Sequence, residues 1–543
     1  MPIFVGPNNN DSEIKSDRIG FAVSTTNPGS AAEGDSYFNS GDKQLKVYNG
    51  SDWDSVGAGG GTVQAVASGA IPNGATVVIN TDGTVGIVTQ TTTYIPSGGT
   101  DVTFNTGNTN DPQVAYDSTN QKVVVVYSDD ANSGKGTAVV GTVSGTSISF
   151  GSEVIFNNAN TPYVAVAFNS TNGKVVVAYR DQGNNSDGTA KVGTVSGSSI
   201  SFGSATVFKS GQANYISIAS GKSTDVNKVA ITYQDGTGGD NGECVIGTIS
   251  GTSISFGTPV TFESNTIYQN RTIYDTQNGR VFIFYRDGSG SKVKGIVGQI
   301  SGTSISFGSA SIAASTGQVI TTTFCGNDGS GNGLVFAAWN DNVGSGPPQA
   351  AMGTIVGGST NSITWGSVTT FADSNSYRYA AEYSTTDSKV ILVWADFATG
   401  DYKTLAALGT ISGTSVSIGS TVTIRSGNTN TAELKSAYDS NTNQSVIVIR
   451  NTTDTVGTSV VVSPTSLSTN LTTENFIGFS DAGYTNGQTA KIQIAGSVDD
   501  AQTGLTTGSG HFVQNDGTLS TTAGTPSVYA GTAISGTKII VRK

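Results

Sequence analysis

The feature that most constrains this chain is an internal repeat. Residues 140–152 read Val-Gly-Thr-Val-Ser-Gly-Thr-Ser-Ile-Ser-Phe-Gly-Ser, and altered copies of this string begin every 51–56 residues, at Val192, Ile246, Val297, Met352 and Leu408. Upstream of each copy, an aromatic residue ends an apolar run in the same register: Tyr127, Tyr179, Tyr233, Tyr285, Trp339 and Trp394. A unit of this length cannot bury an apolar face alone, so neighbouring units must stack.

Each unit divides into four short β runs separated by Asp, Asn, Ser and Gly. In the first complete unit these runs are Gln113–Tyr116, Lys122–Tyr127, Ala138–Val143 and Ser147–Phe156, which we call A, B, C and D. Runs bounded by such residues are typical of strands, and Gly145 between C and D suits a hairpin turn. Four strands in about 50 residues is the period of a β-propeller blade. The sequence therefore predicts an all-β protein built around a propeller of four-stranded blades.

The two ends of the repeat region predict the blade number. The A and B runs occur seven times, but the seventh unit lacks a D run of the Ser-Gly-Thr-Ser type. An unmatched run, Asp101–Phe104, precedes the first A run, and Phe104 stands where later units carry Phe156, Phe208, Phe262, Phe371 and Ile424. A front strand that completes the last blade would latch the ring and remove its exposed edge. This predicts seven blades over residues 95–463, with six and eight as the alternatives.

Four segments lie outside the repeats. Residues 1–56 are predicted to be an N-terminal hairpin element, and the Gly-rich residues 57–61 are predicted to be a hinge. Residues 62–94 are predicted to form a β-hairpin segment, and residues 464–543 a small C-terminal β module. Because a closed ring brings its two ends together, we hypothesise that 62–94 and 464–543 pair as one β domain with the propeller inserted in it.

Composition excludes several classes of function. Only 12% of the 543 residues are charged, and the net charge of −12 repels phosphate backbones and anionic lipid. No apolar run approaches the roughly 18 residues of a membrane span, so we expect neither nucleic-acid binding nor membrane insertion. One histidine, His511, and two cysteines, Cys244 and Cys325, cannot build an imidazole metal cluster, a disulfide framework or a four-thiolate zinc site. We expect no cofactor and no metal, a packing role for the two cysteines, and a surface or packing role for His511.

Three stretches resemble modules of bacteriophage tail-fibre and related virion structural proteins of the marine phage type. They are Gly-Asp-Ser-Tyr-Phe-Asn at 34–39 with the hairpin string at 45–53, Asp-Gly-Thr-Val at 82–85, and the C-terminal strings at 471–480, 487–490 and 529–535. The resemblance implies a virion protein that contacts other tail or capsid proteins through its N-terminal region and forms a homo-oligomer, with a trimer favoured. The repeats resemble propellers by architecture alone and transfer no function.

The turns that differ most between units are the candidate ligand-binding loops. They are Gly183–Gly188, Gly236–Gly242 and Gly344–Pro348. Their polar side chains supply the predicted ligand-binding residues, which are Asn184, Asn185, Asp187, Asp240 and Asn241. Loops held on a rigid scaffold are the usual carriers of binding residues.

Residues that recur in every unit have a structural interpretation beside the functional one. An aspartate follows each B run, and repetition favours a turn residue over a carboxylate ring that binds Ca²⁺ or sugar hydroxyls: Asp129, Asp181, Asp235, Asp287, Asp341 and Asp396. The aromatic residues that end the B runs, together with Phe104, are predicted to pack between blades, with sugar stacking as the alternative.

The evidence for catalysis in the sequence is weak. Ser147–Ser152 resembles the Asp-box turn of sialidase-type propellers, but Ser149 stands where that box carries Asp. A cluster that binds a carboxylate remains an alternative interpretation, because arginines recur near the ends of A or B runs: Arg180, Arg286, Arg378 and Arg450. Glycosidases need two carboxylates at a definite separation, and no such pair stands out.

We therefore expect a non-enzymatic tail fibre, located on the virion, that recognises the host cell surface through a glycan or another receptor. Several weak sites in an oligomer would supply affinity through avidity. Two alternatives remain at this stage. One is a purely structural virion component, either a head fibre or a tail protein, and the other is a glycan-degrading tail spike.

Overall fold

The chain is described by a computed structural model that covers residues 22–33, 35–41, 44–48, 50–56, 61–221, 225–341, 346–356, 361–372, 376–397, 403–426, 431–451 and 455–542. It divides into two compact units, Tyr94–Ser466 and the pair of segments Met1–Thr93 and Leu467–Lys543. The described residues form β-strands, with one short 3₁₀ turn at Asp130–Asn132, so the predicted all-β class is confirmed. None of their helical segments could cross a membrane.

The unit Tyr94–Ser466 is built from repeated antiparallel sheets. In the first repeat, strand A is Thr109–Asp117, B is Lys122–Asp129 and C is Lys135–Ser144. The outer strand D has two pieces, D1 at Ser147–Phe150 and D2 at Val154–Asn160, and both pair with C. The single D run expected from the sequence is therefore interrupted at Gly151.

The later repeats follow the same order of A, B, C, D1 and D2. In repeats 2 and 3, D2 continues directly into the next A strand, as Thr206–Ser220 and Val260–Asp275. Strands A, B, C and D1 of repeat 2 are Ala165–Asn169, Lys174–Asp181, Asp187–Ser196 and Ser199–Phe202. Strands B, C and D1 of repeat 3 are Lys228–Asp235, Asn241–Ser250 and Ser253–Phe256. Strands B, C, D1 and D2 of repeat 4 are Arg280–Asp287, Val293–Ser301, Ser304–Phe307 and Ser311–Ala314. Strands A, B, C, D1 and D2 of repeat 5 are Gln318–Asn327, Gly333–Asn340, Pro348–Val356, Ser362–Trp365 and Thr369–Thr370. Those of repeat 6 are Ser376–Ser384, Lys389–Asp396, Lys403–Ser412, Ser415–Ile418 and Val422–Arg425.

The seventh repeat takes its outer strand from the front of the unit. Its A, B and C strands are Thr431–Asp439, Gln444–Asn451 and Gly457–Ser463. The C strand pairs with Val102–Asn105 and Ser97–Gly98, which precede repeat 1 in the sequence. A chain segment from before the first repeat thus serves as the D strand of the last.

Apolar side chains fill the space between successive sheets. Val176 and Ala178 of repeat 2 pack on Val229 and Ile231 of repeat 3, and equivalent clusters join the following pairs. Val446 and Val448 of repeat 7 share a cluster with Val123, Val125 and Tyr127 of repeat 1. The A strands of successive repeats are neighbours, and the last lies beside the first. Sheets that pack face to face around a ring in this way form a β-propeller.

A glycine between D1 and D2 brings neighbouring sheets into close contact. A Cβ atom at Gly203 would overlap the carbonyl oxygen of Thr252 in the C–D turn of the next repeat. Gly151 lies in the same way against Ser198, and Gly99 against Thr146. The glycine of the repeated Phe-Gly-Ser string is therefore required for close backbone approach.

The second compact unit contains small sheets. Near its N-terminus, Ala22–Ser24, Ser36–Asn39, Gln44–Tyr48 and Trp53–Val56 form one sheet. A second sheet has the strand order Thr62–Val66, Thr489–Gln493, Phe476–Ser480, Thr76–Ile79 and Val85–Ile87. A third sheet has the strand order Val498–Asp499, Lys538–Val541, Val528–Ser535, Gly510–Val513 and Leu519–Ser520. Gln90–Thr93 pairs with Ser466–Thr469. Val78, Phe476, Phe479 and Ile539 share one core, so residues on either side of the propeller sequence fold together.

Candidate functional site

The loops from B to C and from D to the next A lie on one side of the ring, which we call the B–C face. The A–B and C–D turns lie on the other side, because successive strands are antiparallel. The candidate loops Gly183–Gly188 and Gly236–Gly242 both join a B strand to a C strand. Of the third, Gly344–Pro348, residues 344 and 345 lie outside the described residues, and the rest leads into the C strand of repeat 5. All three loops therefore belong to the B–C face.

The predicted loop residues differ in their accessibility. Asn184 and Asn185 are exposed, and Asp240 and Asn241 are half-buried. Asp187 is buried, and its carboxylate accepts hydrogen bonds from the Gly211 backbone N at 2.7 Å and the Asn184 side chain at 3.2 Å. The Asp187 carboxylate thus holds the loop against the D strand, and the exposed asparagines are the groups that face solvent.

Three of the recurring aspartates, which the structure places at the last position of their B strands, accept hydrogen bonds from their own turns. The Asp181 carboxylate accepts from the Gly183 backbone N at 3.0 Å, and that of Asp287 from the Ser289 backbone N at 2.7 Å. Asp235 likewise accepts from the Thr237 backbone N at 3.1 Å. This geometry matches the turn interpretation. Across the part of the chain that the structure describes, no group of three or more His, Cys, Asp or Glu side chains could hold a metal ion.

The aromatic residues that end the B strands lie between sheets. All six are completely buried: Tyr127, Tyr179, Tyr233, Tyr285, Trp339 and Trp394. Phe104 packs on Tyr127 with ring centroids 5.3 Å apart, and Phe156 packs on Tyr179 at 5.2 Å. The structure therefore places these rings in the core, where no ligand reaches them.

His511, Cys244 and Cys325 are also core residues. His511 is 2% exposed, and its Nε2 accepts a hydrogen bond from the Thr506 backbone N at 3.3 Å. Both thiols are buried, and burial raises the pKa of each well above its usual range. A thiol that stays protonated is a poor nucleophile and metal ligand.

Three tyrosines that the sequence reasoning missed lie together on the B–C face. Tyr163, Tyr215 and Tyr268 come from the starts of the A strands of repeats 2 to 4, and we call them the tyrosine row. The rings of Tyr163 and Tyr215 are 5.4 Å apart. Burial raises the pKa of Tyr215, and Tyr163, Tyr268 and the Asp240 carboxylate raise it further, which places Asp240 of the candidate loop beside the row.

Two of the recurring arginines cover this row. The Cζ atom of Arg180 lies 4.9 Å from the ring centroid of Tyr163, and that of Arg286 lies 5.1 Å from the centroid of Tyr268. Tyr268 is 41% exposed. Tyr163 and Tyr215 have φ angles of 56° and 48°, a left-handed conformation that side chains of this size rarely adopt and that clusters at functional sites.

Five charged side chains of A strands and one of a B strand, Arg450, also come together at the centre of the ring. We call them the channel cluster: Asp111, Arg271, Arg378, Glu433, Lys435 and Arg450. Asp111 of repeat 1 and Arg271 of repeat 4 interact electrostatically, although these repeats lie on different sides of the ring, so the interaction crosses the central channel. Arg378 acts on Arg271, Glu433 and Lys435.

Burial and the neighbouring like charges shift the pKa values of Lys435 and Glu433 in this cluster. Burial, followed by the Arg271 guanidinium, lowers the pKa of Lys435 to about 7. Burial, followed by the Asp111 carboxylate, raises the pKa of Glu433 to about 7. The Asp111 carboxylate accepts hydrogen bonds from Gln113 Nε2 at 2.7 Å and from the Val164 backbone N at 2.8 Å. Perturbed titratable groups that gather in a cleft are typical of a functional site.

The four arginines noted in the sequence therefore do not form one cluster. Arg180 donates to Asn214 Oδ1 at 2.6 Å and Arg450 to Asn110 Oδ1 at 2.9 Å, and each bond joins one repeat to the next. Arg180 and Arg286 belong to the tyrosine row, whereas Arg378 and Arg450 flank Glu433 in the channel. Together, the row and the cluster offer aromatic faces and fixed cations to a ligand.

Comparisons with known proteins found solved structures that are similar to this chain. No protein-family model matches the chain, and no curated protein matches it in sequence. A lectin of Burkholderia pseudomallei is similar with a TM-score of 0.48 at 12% identity, over 67% of this chain and 98% of that one. The AofleA protein of Arthrobotrys oligospora has a TM-score of 0.37 at 7% identity, over 76% and 93% of the two chains. Sqt1 of Saccharomyces cerevisiae has a TM-score of 0.41 at 9% identity, over 67% and 98%.

Proposed function

We propose that this chain is a seven-bladed β-propeller protein of a bacteriophage virion, a tail fibre that recognises the host cell surface by binding a glycan on its B–C face. The observation that carries the proposal is the tyrosine row. Sugar rings stack on aromatic side chains. The partly exposed ring of Tyr268 lies on the B–C face, as do the exposed Asn184 and Asn185. Binding requires no chemical step, so the proposed protein is not an enzyme.

The virion context is supported by the sequence modules outside the propeller. The strings at 34–39, 45–53 and 471–480 resemble fibre modules. In the proposed arrangement the N-terminal region contacts other virion proteins and assembles a homo-oligomer, with a trimer favoured. Several copies of a shallow site would then bind one surface together, which raises avidity without a deep pocket.

A second candidate function, glycan hydrolysis by a tail spike, is favoured by one observation. Asp111 and Glu433 are two carboxyl groups that influence each other across the channel cluster, and the pKa of Glu433 is raised to about 7. A carboxyl group with a raised pKa beside a second carboxylate is the arrangement that glycosidases use. Release of reducing ends from host polysaccharide by the wild-type protein, and its loss in Glu433→Gln, would establish this alternative.

The test of the proposed function uses the labelled full-length protein and candidate host cells. We expect saturable binding that competes with adsorption of the particle. Tyr215→Ser should weaken it by about ten-fold, the loss of roughly one stacking contact. The matched control is Tyr94→Ser, because Tyr94 is 51% exposed and has the Lys389 Nζ 5.6 Å from its ring centroid, but belongs to neither the row nor the candidate loops.

The outcomes separate the candidates. Loss of binding in Tyr215→Ser with full binding by Tyr94→Ser supports recognition by the B–C face. Equal binding by both variants contradicts it. Absence of binding by the correctly assembled wild-type oligomer would favour the purely structural virion component, such as a head fibre.

A further inference from the structure

The channel cluster carries more positive than negative charge. Its cations are Arg271, Arg378, Lys435 and Arg450, and its carboxylates are Asp111 and Glu433. The closest ion pair within it is loose, since Arg450 Nη1 lies 3.8 Å from Glu433 Oε1. Within this set of described residues, four cationic groups therefore share two carboxylates.

One of those carboxylates, Asp111, interacts electrostatically with Lys435 and Arg271 but makes its hydrogen bonds with neutral groups. Asp111 accepts from Gln113 and from the Val164 backbone N, which are neutral donors. Charges taken out of water need a partner, because the desolvation cost is otherwise not recovered. The lowered pKa of Lys435 shows this cost, since burial and the neighbouring Arg271 both disfavour its ammonium form. An anion in the channel would relieve the repulsion among the cations.

The cluster lies next to the tyrosine row. Val164, whose backbone N donates to Asp111, directly follows Tyr163. Arg271 follows Tyr268 by three residues in the same A strand, Val260–Asp275. A sugar that stacks on the row therefore has its substituents within reach of the channel cations.

We propose that the channel cluster binds the anionic substituent of an acidic saccharide whose ring stacks on the tyrosine row. The inference deepens the proposed function and rests on it for the identity of the ligand as a glycan. Guanidinium groups bind carboxylate, phosphate and sulfate through charge-assisted hydrogen bonds. All these groups would bind as an anion held by Arg271, Arg378 and Lys435. The experiment below distinguishes a carboxylate from a sulfate.

The test measures the thermal midpoint Tm of the full-length protein with sodium glucuronate, with glucose, and with sodium sulfate at matched ionic strength. A ligand that binds the folded state raises the Tm. We expect glucuronate to raise it and glucose, the neutral counterpart, to leave it nearly unchanged. Stabilisation by sulfate as well would assign the site to anions in general, and stabilisation by glucuronate alone would assign it to a carboxylate.

Two variants locate the effect. Lys435→Met removes a half-buried cation, and Arg378→Gln removes an exposed one and should not disturb folding. Both should abolish most of the rise in Tm that glucuronate causes. The control is Lys389→Gln, which replaces a half-buried lysine at the start of a B strand and outside the channel cluster, and this variant should retain the rise. An equal response to glucuronate and glucose in the wild type, or a wild-type response in Arg378→Gln, would overturn the proposal.

Proton uptake gives an independent readout. An anion near Lys435 and Glu433 raises the pKa of both from about 7. The other charged groups of the cluster are Asp111, whose pKa is already raised by burial, and the guanidinium groups of Arg271, Arg378 and Arg450. Binding at pH 8 should therefore take up protons, which calorimetry detects as a heat that depends on the ionisation enthalpy of the buffer. Glucuronate binding without proton uptake would contradict a site at this cluster.

Failure of this inference can be told from failure of the proposed function. Cell binding that depends on Tyr215 without any glucuronate effect would leave the proposed function standing and remove the acidic ligand. A glucuronate effect that depends on Arg378 without cell binding would leave the anion site standing and remove host recognition.

Discussion

At the scale of single residues, the interior of the ring contains an acid that is neutral at ordinary pH. Glu382 lies in the A strand of repeat 6 and lines an open cavity of about 450 Å³, together with residues of other A strands. Burial raises its pKa to about 8, and a hydrogen bond from Ser436 Oγ at 2.9 Å opposes this shift only in part. The folded state therefore prefers the protonated carboxyl group.

This preference predicts a loss of stability as the pH rises. The unfolded chain ionises Glu382 near pH 4.5, so folding is penalised increasingly between that pH and about 8, where the folded group ionises. Glu382→Gln keeps a hydrogen-bond acceptor and cannot ionise. We expect the variant to be more stable than the wild type at pH 8 by a few kcal/mol and to differ much less at pH 5, as measured by denaturant unfolding. Parallel stability curves for the two proteins would contradict this assignment.

At the scale of elements, the contact between one D strand and the next C–D turn predicts a sharp difference between two equivalent glycines. Gly203→Ala places a methyl group on the Thr252 carbonyl, so backbone must move, at a cost of about 1–3 kcal/mol. Gly419 holds the same position in repeat 6, but a Cβ there would lie 3.4 Å from the Leu408 carbonyl oxygen, which is ordinary contact. Gly419→Ala should leave the Tm nearly unchanged, and a similar loss in both variants would refute the explanation.

The same elements show what the sequence could reveal about the fold. The spacing of Gly141 and Tyr127 with their copies was sufficient for the all-β class and the propeller, because a repeat must bury its apolar face against its neighbours. The first half of the front D strand was missed, since Ser97–Gly98 retains only one serine of the Ser-Ile-Ser-Phe pattern. Its signal is Gly99, which takes the place of Gly151 against the next turn.

The site was less accessible from the sequence than the fold. The Asn184 loop and the recurring arginines were found because they vary or repeat visibly. The tyrosine row was not, because residue preferences do not predict the left-handed backbone of Tyr163 and Tyr215, the second of which lies in a β-bulge. Their separation of 52 residues, the period of the repeat, was the available signal. Asp111 and Lys435 lie more than 300 residues apart in the sequence, and only ring closure brings them together.

At the scale of the whole molecule, the sheet that joins Thr76–Ile79 to Phe476–Ser480 predicts that the second compact unit folds without the propeller. A chain in which a short Gly-Ser linker joins Thr93 to Leu467 should unfold cooperatively, because Gln90–Thr93 and Ser466–Thr469 are paired neighbours. Residues 467–543 alone should not, since their sheet would lose three of its five strands, Thr62–Val66, Thr76–Ile79 and Val85–Ile87. Circular dichroism during thermal unfolding checks both, and independent folding of 467–543 would count against a shared sheet.

The central claim, recognition of a glycan by the B–C face, is tested most directly by hydrogen–deuterium exchange of the full-length protein with and without polysaccharide from the host surface. Backbone amides are protected where a ligand covers them or stabilises their hydrogen bonds. The account predicts slower exchange at Gly183–Gly188, at Gly236–Gly242 and around Tyr215, with unchanged exchange at the C–D turns. Protection confined to the C–D turns or to the second compact unit, or no protection anywhere in the chain, would contradict it.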